Sequence, residues 1–199
     1  CFIWASASEM PGVDGSSMPF VDALLDAGVV AQENMRSALT INTTIRVGDN
    51  DAWIEVRPPT TADTMSLSYQ LDYANNSPIP RQTFSIDISP ASFQTELAAA
   101  RTFVLQSEAN QMQARGLGLR VTTADLIVFD DNGPVSNSLR FDNECARHKT
   151  LDMIGDLALA GTDLHGEFEA YRTGHRLNAE LVRQILIQHK FSNTMAECA

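Results

Sequence analysis

Between Thr40 and Ile88, apolar side chains recur at every second position in four successive runs: Thr40 to Val47, Ala52 to Val56, Thr64 to Tyr73 and Gln82 to Ile88. A period of two puts alternate side chains on opposite faces of an extended chain, so each run predicts a strand with one core-facing side. The first two runs flank Gly48-Asp49-Asn50, a hairpin signal. Consecutive strands joined this way predict a mostly antiparallel sheet, which restricts the fold more than any other feature of the chain.

Around this block the period becomes helical. Phe20 to Ala27 carries Val21, Leu24 and Leu25 and closes at Gly28, after the turn-rich loop Pro11 to Ser17. Ser89-Pro90 supplies a cap and a first-turn proline for a helix reaching about Ala100, with Phe93, Leu97 and Ala100 on one side. Leu105 to Arg115 ends at Gly116. Asn143 to Ala160 is the strongest helix, with Met153, Ile154 and Leu157 apolar and Gly161 as its stop. Asn178 to Lys190 closes the chain on Leu181, Val182, Ile185 and Leu186, while Val121 to Asp130 and His165 to Thr173 read as further strands. The fold class is α+β, a two-layer arrangement of antiparallel sheet with helices on one face.

An apolar content of 44% over 199 residues is enough to fill a core. The net charge of −11 opposes binding to nucleic acid and leaves at most peripheral contact with an anionic membrane. An anionic substrate would therefore need local cations. No apolar stretch is long enough to span a bilayer, and Cys1-Phe2-Ile3-Trp4 lacks the features of a signal peptide, so a soluble cytoplasmic protein is expected. Cys1, Cys145 and Cys198 are odd in number and irregularly spaced, which predicts reduced thiols and no cysteine zinc knuckle. The chain starts at cysteine in what reads as mid-domain sequence, so an upstream segment is expected.

Chemistry concentrates on the strongest helix. Residues four apart share a helical face, so His148, Asp152 and Asp156 form one stripe. An imidazole and a carboxylate at that spacing suit one zinc ion, which in hydrolases usually takes three protein ligands and leaves a position for water. The same spacing also describes a solvated His–Asp pair. Gly155 leaves open space beside the stripe. His175, in Arg172-Thr173-Gly174-His175 before a helix, suits a general acid or an oxyanion donor, or alternatively a helix cap. His165 at a strand start and His189 in a last helical turn are weaker ligand candidates.

The run Leu139 to Leu157, containing Arg147-His148-Lys149-Thr150-Leu151-Asp152, and the later Gly174-His175-Arg176-Leu177-Asn178 resemble the UDP-3-O-acyl-N-acetylglucosamine deacetylases, zinc enzymes of lipid A biosynthesis. Pro11 to Phe20 and Ala99-Ala100-Arg101-Thr102-Phe103 match that family as well. The resemblance implies that His148 and Asp152 are two of three Zn2+ ligands. It implies that His175 stabilises the oxyanion and protonates the leaving nitrogen, that Asp156 orients it or the metal shell, and that Thr102 hydrogen-bonds the tetrahedral intermediate. It further implies that Phe103 contacts the sugar of UDP-3-O-acyl-N-acetylglucosamine and that Lys149 faces its pyrophosphate. Residues 104–121 would be an insert forming an acyl-chain tunnel lined by Leu105, Leu119 and Val121. The family has two similar α/β domains. Residues 1–38 would end the first, and residues 39–199 would form the second.

Two departures accompany the match. The family's third ligand and glutamate base lie in a Thr-Val-Glu-His segment of the first domain, and this chain contains no Glu-His pair. An upstream segment would have to supply both, and these residues alone would then be inactive. Val104 replaces a family glycine, and Arg120-Val121-Thr122-Thr123 replaces a glycine-rich stretch. A non-catalytic nucleotide-sugar or acyl-binding module is the alternative.

Overall fold

A computed structural model describes residues 2–8, 10–73, 77–119 and 121–197, the last eight through their backbone alone. Cys1, Cys198 and Arg120 lie outside the described residues. The alternating runs fold as β1 (Ala38–Thr40), β2 (Ile45–Gly48), β3 (Trp53–Arg57), β4 (Met65–Leu71) and β5 (Gln82–Asp87). With a later strand, β9 (Asp163–Tyr171), they make one sheet in the order β2-β3-β9-β4-β5, and β1 pairs with the first three residues of β9.

The β2–β3 hairpin follows from its turn chemistry. The Asp49 carboxylate accepts the backbone N–H groups of Asp51 and Ala52, and Gly48 sits at φ +105°, where a Cβ would come within 2.2 Å of the Ala52 carbonyl oxygen. The α+β class holds, but the sheet is mixed. Pairs β2–β3, β3–β9 and β4–β5 are antiparallel, whereas β9 runs parallel to both β1 and β4. The expected strand from Thr40 to Val47 divides into β1 and β2 because its two ends pair with different strands, β9 and β3.

Alternation places Ile54, Val56, Leu67, Tyr69, Leu71, Phe168 and Ala170 on the inner face. Two helices, α4 (Glu144–Leu157) and α5 (His175–Glu197), cover this face with Met153, Leu157, Leu181, Val182 and Ile185. Burying each such side chain contributes about 1.5–3 kcal/mol. The other face is polar, with Arg57 and Gln70 both bonded to Glu169.

The segment between β5 and α4 is less regular than its periodicity predicts. Ser89 and Ser92 cap each other reciprocally at the start of α2 (Pro90–Ser92), which continues as a π-helical turn over Phe93–Leu97. A small second sheet follows, made of β6 (Phe103–Leu105), β7 (Ile127–Asp130) and β8 (Gly133–Val135), with α3 (Gln106–Ala114) between its first two strands. The expected strand beginning at Val121 shrinks to β7 because the Asp125 carboxylate accepts both the N–H and the hydroxyl of Thr122, folding Thr122 to Asp125 into a turn.

Near the start of the chain, α1 (Met18–Ala27) has no buried residue, and the exposed stretch after it ends where β1 begins at Ala38, so the division expected after residue 38 falls within β1. The loop before α1 does engage the rest of the molecule. Gly15 accepts the Thr102 N–H, Ser17 donates to the Ala98 carbonyl, and Asp14 meets Arg140 at 2.7 Å.

Candidate active site

Helix α4 buries Cys145, Ala146, Thr150, Met153 and Leu157, which fixes its rotation. His148 lies on the side facing residues 100–103, where the Phe103 ring stands edge-on to the imidazole at 6.3 Å. Its Nδ1 is 3.1 Å from the Ala100 carbonyl oxygen. A carbonyl can only accept, so Nδ1 carries the hydrogen, and a neutral ring keeps its free electron pair on Nε2.

That Nε2 stands 3.3 Å from Asp152 Oδ1. An imidazole electron pair and a carboxylate oxygen repel at this distance unless a proton or a metal ion lies between them. The donor set therefore suits a divalent cation, with the backbone carbonyl fixing the ring as outer-shell partners of metal-bound histidines do. Asp152 Oδ2 accepts the Lys149 ammonium at 2.7 Å. Burial alone would raise the Asp152 carboxyl; where a proton rather than a metal ion lies between Nε2 and Oδ1, the hydrogen bond from His148 Nε2–H and the imidazolium charge, and then Lys149, outweigh that burial and hold the group down at about 2. Lys149, expected to face a pyrophosphate, is thus engaged on its own helix. Among the described residues, no group of three or more His, Cys, Asp or Glu side chains gathers around one point.

One turn further along α4, Asp156 accepts the Nδ1–H of His175, with oxygens at 2.9 and 3.1 Å, and the Asn178 amide at 2.9 Å. His175 is the first residue of α5, not a residue before it. Its side chain is 71% exposed while Asp156 is largely buried, so Nε2 faces outward and can hand over or receive a proton. The loop leading to it is fixed by the buried Tyr69 hydroxyl, which donates to the Thr173 carbonyl at 2.6 Å. Burial pushes the Tyr69 phenol up, so it stays a donor throughout the physiological range.

The segment beside His148, residues 100–101 just before β6, is also held from below. Glu144, fully buried, accepts the Arg101 N–H at 3.0 Å, its guanidinium at 2.8 and 3.1 Å and the Arg140 N–H at 2.6 Å. Sequence reasoning saw Arg101 and Glu144 only as matching letters. Their signal was the spacing of Glu144 and His148, four apart on α4, which places both on the side facing residues 100–101.

Thr102 and Phe103 open a cavity of about 420 Å³ whose walls include Val104, Met112, Leu117, Val121 and Val128. Of the three residues expected to line an acyl-chain tunnel, Val121 is in this wall. Leu105 and Leu119 are not: Leu105 lies beside Val104 in β6 and packs against the sheet core, and Leu119, in the turn after Gly118, is 70% exposed. His165 lies in β9 with Nδ1 3.3 Å from Asp63, and His189 lies in α5, so neither joins α4.

Fold and site together define an α+β protein with a proton-handling polar face next to an apolar cavity. A profile of the UDP-3-O-acyl N-acetylglycosamine deacetylases matches residues 1–187, and the chain belongs to this family. It is 36% identical over 187 residues to a UDP-3-O-acyl-N-acetylglucosamine deacetylase of Actinobacillus succinogenes, covering 92% of this chain and 60% of that protein. It is 39% identical over 180 residues to the Brucella ovis protein of the same name, covering 89% and 62% respectively. The chain thus spans about 60% of the length of the curated relatives it matches.

Proposed function

We propose that this chain carries most of the active site of a zinc-dependent hydrolase that removes the N-acetyl group from UDP-3-O-acyl-N-acetylglucosamine, a step of lipid A biosynthesis. The observation that carries the reading is the pair of inward-facing donors, His148 Nε2 and Asp152 Oδ1, 3.3 Å apart with the imidazole hydrogen fixed on the opposite nitrogen. Membership of the family supports it. Zinc held there would polarise the acetyl carbonyl and lower the pKa of a bound water.

His175 protonates the departing amine from Nε2, and Asp156 holds its Nδ1–H and balances the imidazolium that precedes this transfer. Thr102 and Phe103 place the substrate at the mouth of the apolar cavity, which receives the acyl chain. A third ligand and a general base come from the length of the relatives that this chain does not span, so these residues alone hydrolyse little or nothing.

Zinc affinity and deacetylation measured on this chain, and on a form extended to the relatives' full length, test the reading. The extended form is expected to be active, and its inactivity would sink the proposal. In it, His148→Ala and Asp152→Ala should lower zinc affinity at least tenfold. His175→Ala should keep zinc and slow turnover by about 10²–10⁴. Loss of zinc from His175→Ala would reassign that residue as a ligand.

A further inference from the structure

The Ala100–Arg101 peptide is gripped at both ends by one helix. Its N–H donates to Glu144 Oε1 at 3.0 Å, and its carbonyl accepts the Nδ1–H of His148 at 3.1 Å. The N–H and C=O of a trans peptide point in opposite directions, and here each meets a side chain of α4 one turn from the other. The result is a chain of hydrogen bonds running from carboxylate through peptide to imidazole. Hydrogen bonds in series polarise one another, so a carboxylate on the N–H strengthens the carbonyl as an acceptor.

We propose that Glu144 is a positioning residue that acts on His148 through the Ala100–Arg101 peptide, fixing which ring nitrogen faces Asp152 and raising that nitrogen's strength as a metal donor. The inference rests on His148 being a zinc ligand. Glu144 reaches no other part of the site, and it is completely buried. It also accepts the Arg101 guanidinium and the Arg140 N–H, so its carboxylate is immobile and its orientation toward the peptide is set by four bonds. The two histidines of the site are then served alike: His175 directly by Asp156, and His148 by Glu144 across one peptide group.

The first measurement needs no substitution. In the unaltered chain, 15N spectra of the neutral His148 ring should place its hydrogen on Nδ1, with the Arg101 amide proton shifted strongly downfield; a hydrogen on Nε2 would overturn the proposal. The second uses Glu144→Gln, which keeps a carbonyl oxygen for the Arg101 N–H but removes the charge. Zinc affinity, read by competition with a chelator, should fall about tenfold or more, and the fraction of ring hydrogen on Nε2 should rise. Where the unpaired Arg101 unfolds that variant, Arg101→Met/Glu144→Gln replaces it, with the same fall expected. Unchanged zinc affinity and ring state in a folded variant would refute the proposal. Unchanged affinity in His148→Ala would instead refute the ligand assignment on which it rests.

Discussion

Individual side chains here are governed by where their hydrogens point. Cys145 shows the effect of burial alone: it is fully buried in α4, and desolvation pushes its thiol up to about 12. In a Cys1→Ser/Cys198→Ser form, Cys145 should resist a thiol-specific reagent at pH 8 for as long as the protein is folded and react at once in denaturant. Rapid labelling of the native form would show that α4 opens locally. The residues with chemical character were legible in the sequence: His148, Asp152, Asp156 and His175 were read from spacing and motif. Their supporting partners were not, because Ala100 contributes a carbonyl that every residue possesses, and the role of Glu144 depends on Arg101, 43 residues away. Lys149 has a partner of the same hidden kind. Its charge points to an anion, and the structure adds that Asp152, three residues along its own helix, meets its ammonium.

Among the elements, loops carry the precision. Gly15, at φ +78°, lets the loop before α1 lie against Thr102 and Asp125; a Cβ there would sit 2.4 Å from the Asp125 carbonyl oxygen. Gly15→Ala should therefore destabilise the protein by about 1–3 kcal/mol and broaden the backbone signals of Thr102 and Asp125. Tyr69→Phe tests the second loop. It leaves the Thr173 carbonyl without its donor, so chemical unfolding should show a loss of about 1–3 kcal/mol, with perturbed His175 ring signals as the local reporter. Strand positions in the first half of the chain were readable because alternation is a local property. The direction and neighbours of β9 were not, since the hydrophobic pattern of a strand is the same whether its partner runs parallel or antiparallel.

For the molecule as a whole, buried and half-buried carboxylates set the response to acid. Asp14, Glu144 and Asp152 all lie below their ordinary values: in each, burial pushes up, and hydrogen bonds from Arg140, from Arg101, and from His148 with Lys149 prevail. A carboxyl that is lower in the folded state adds stability that is complete above its unfolded value, about 4, and is lost as pH falls through the folded value. Asp152 alone, lowered from 3.8 to about 2, accounts for roughly 2 kcal/mol. Urea midpoints of the zinc-free protein should hold steady from pH 7 to 5 and drop between pH 4 and 2. A midpoint unchanged at pH 3 would show that these carboxylates are not held as described.

The placement of β9 also bears on how the protein is made. It is the central strand of the sheet and the last to be synthesised, so β2–β3 and β4–β5 emerge as two hairpins with no strand to join them. Until residue 171 has been added, the flanks of β3 and β4 stand open to wrong pairing, the hazard typical of late, long-range sheet closure. Four residues after β9 ends comes His175, the partner of Asp156. The strand whose arrival unites the two hairpins therefore delivers His175 as well, and a half-made chain has neither a closed sheet nor a histidine on Asp156.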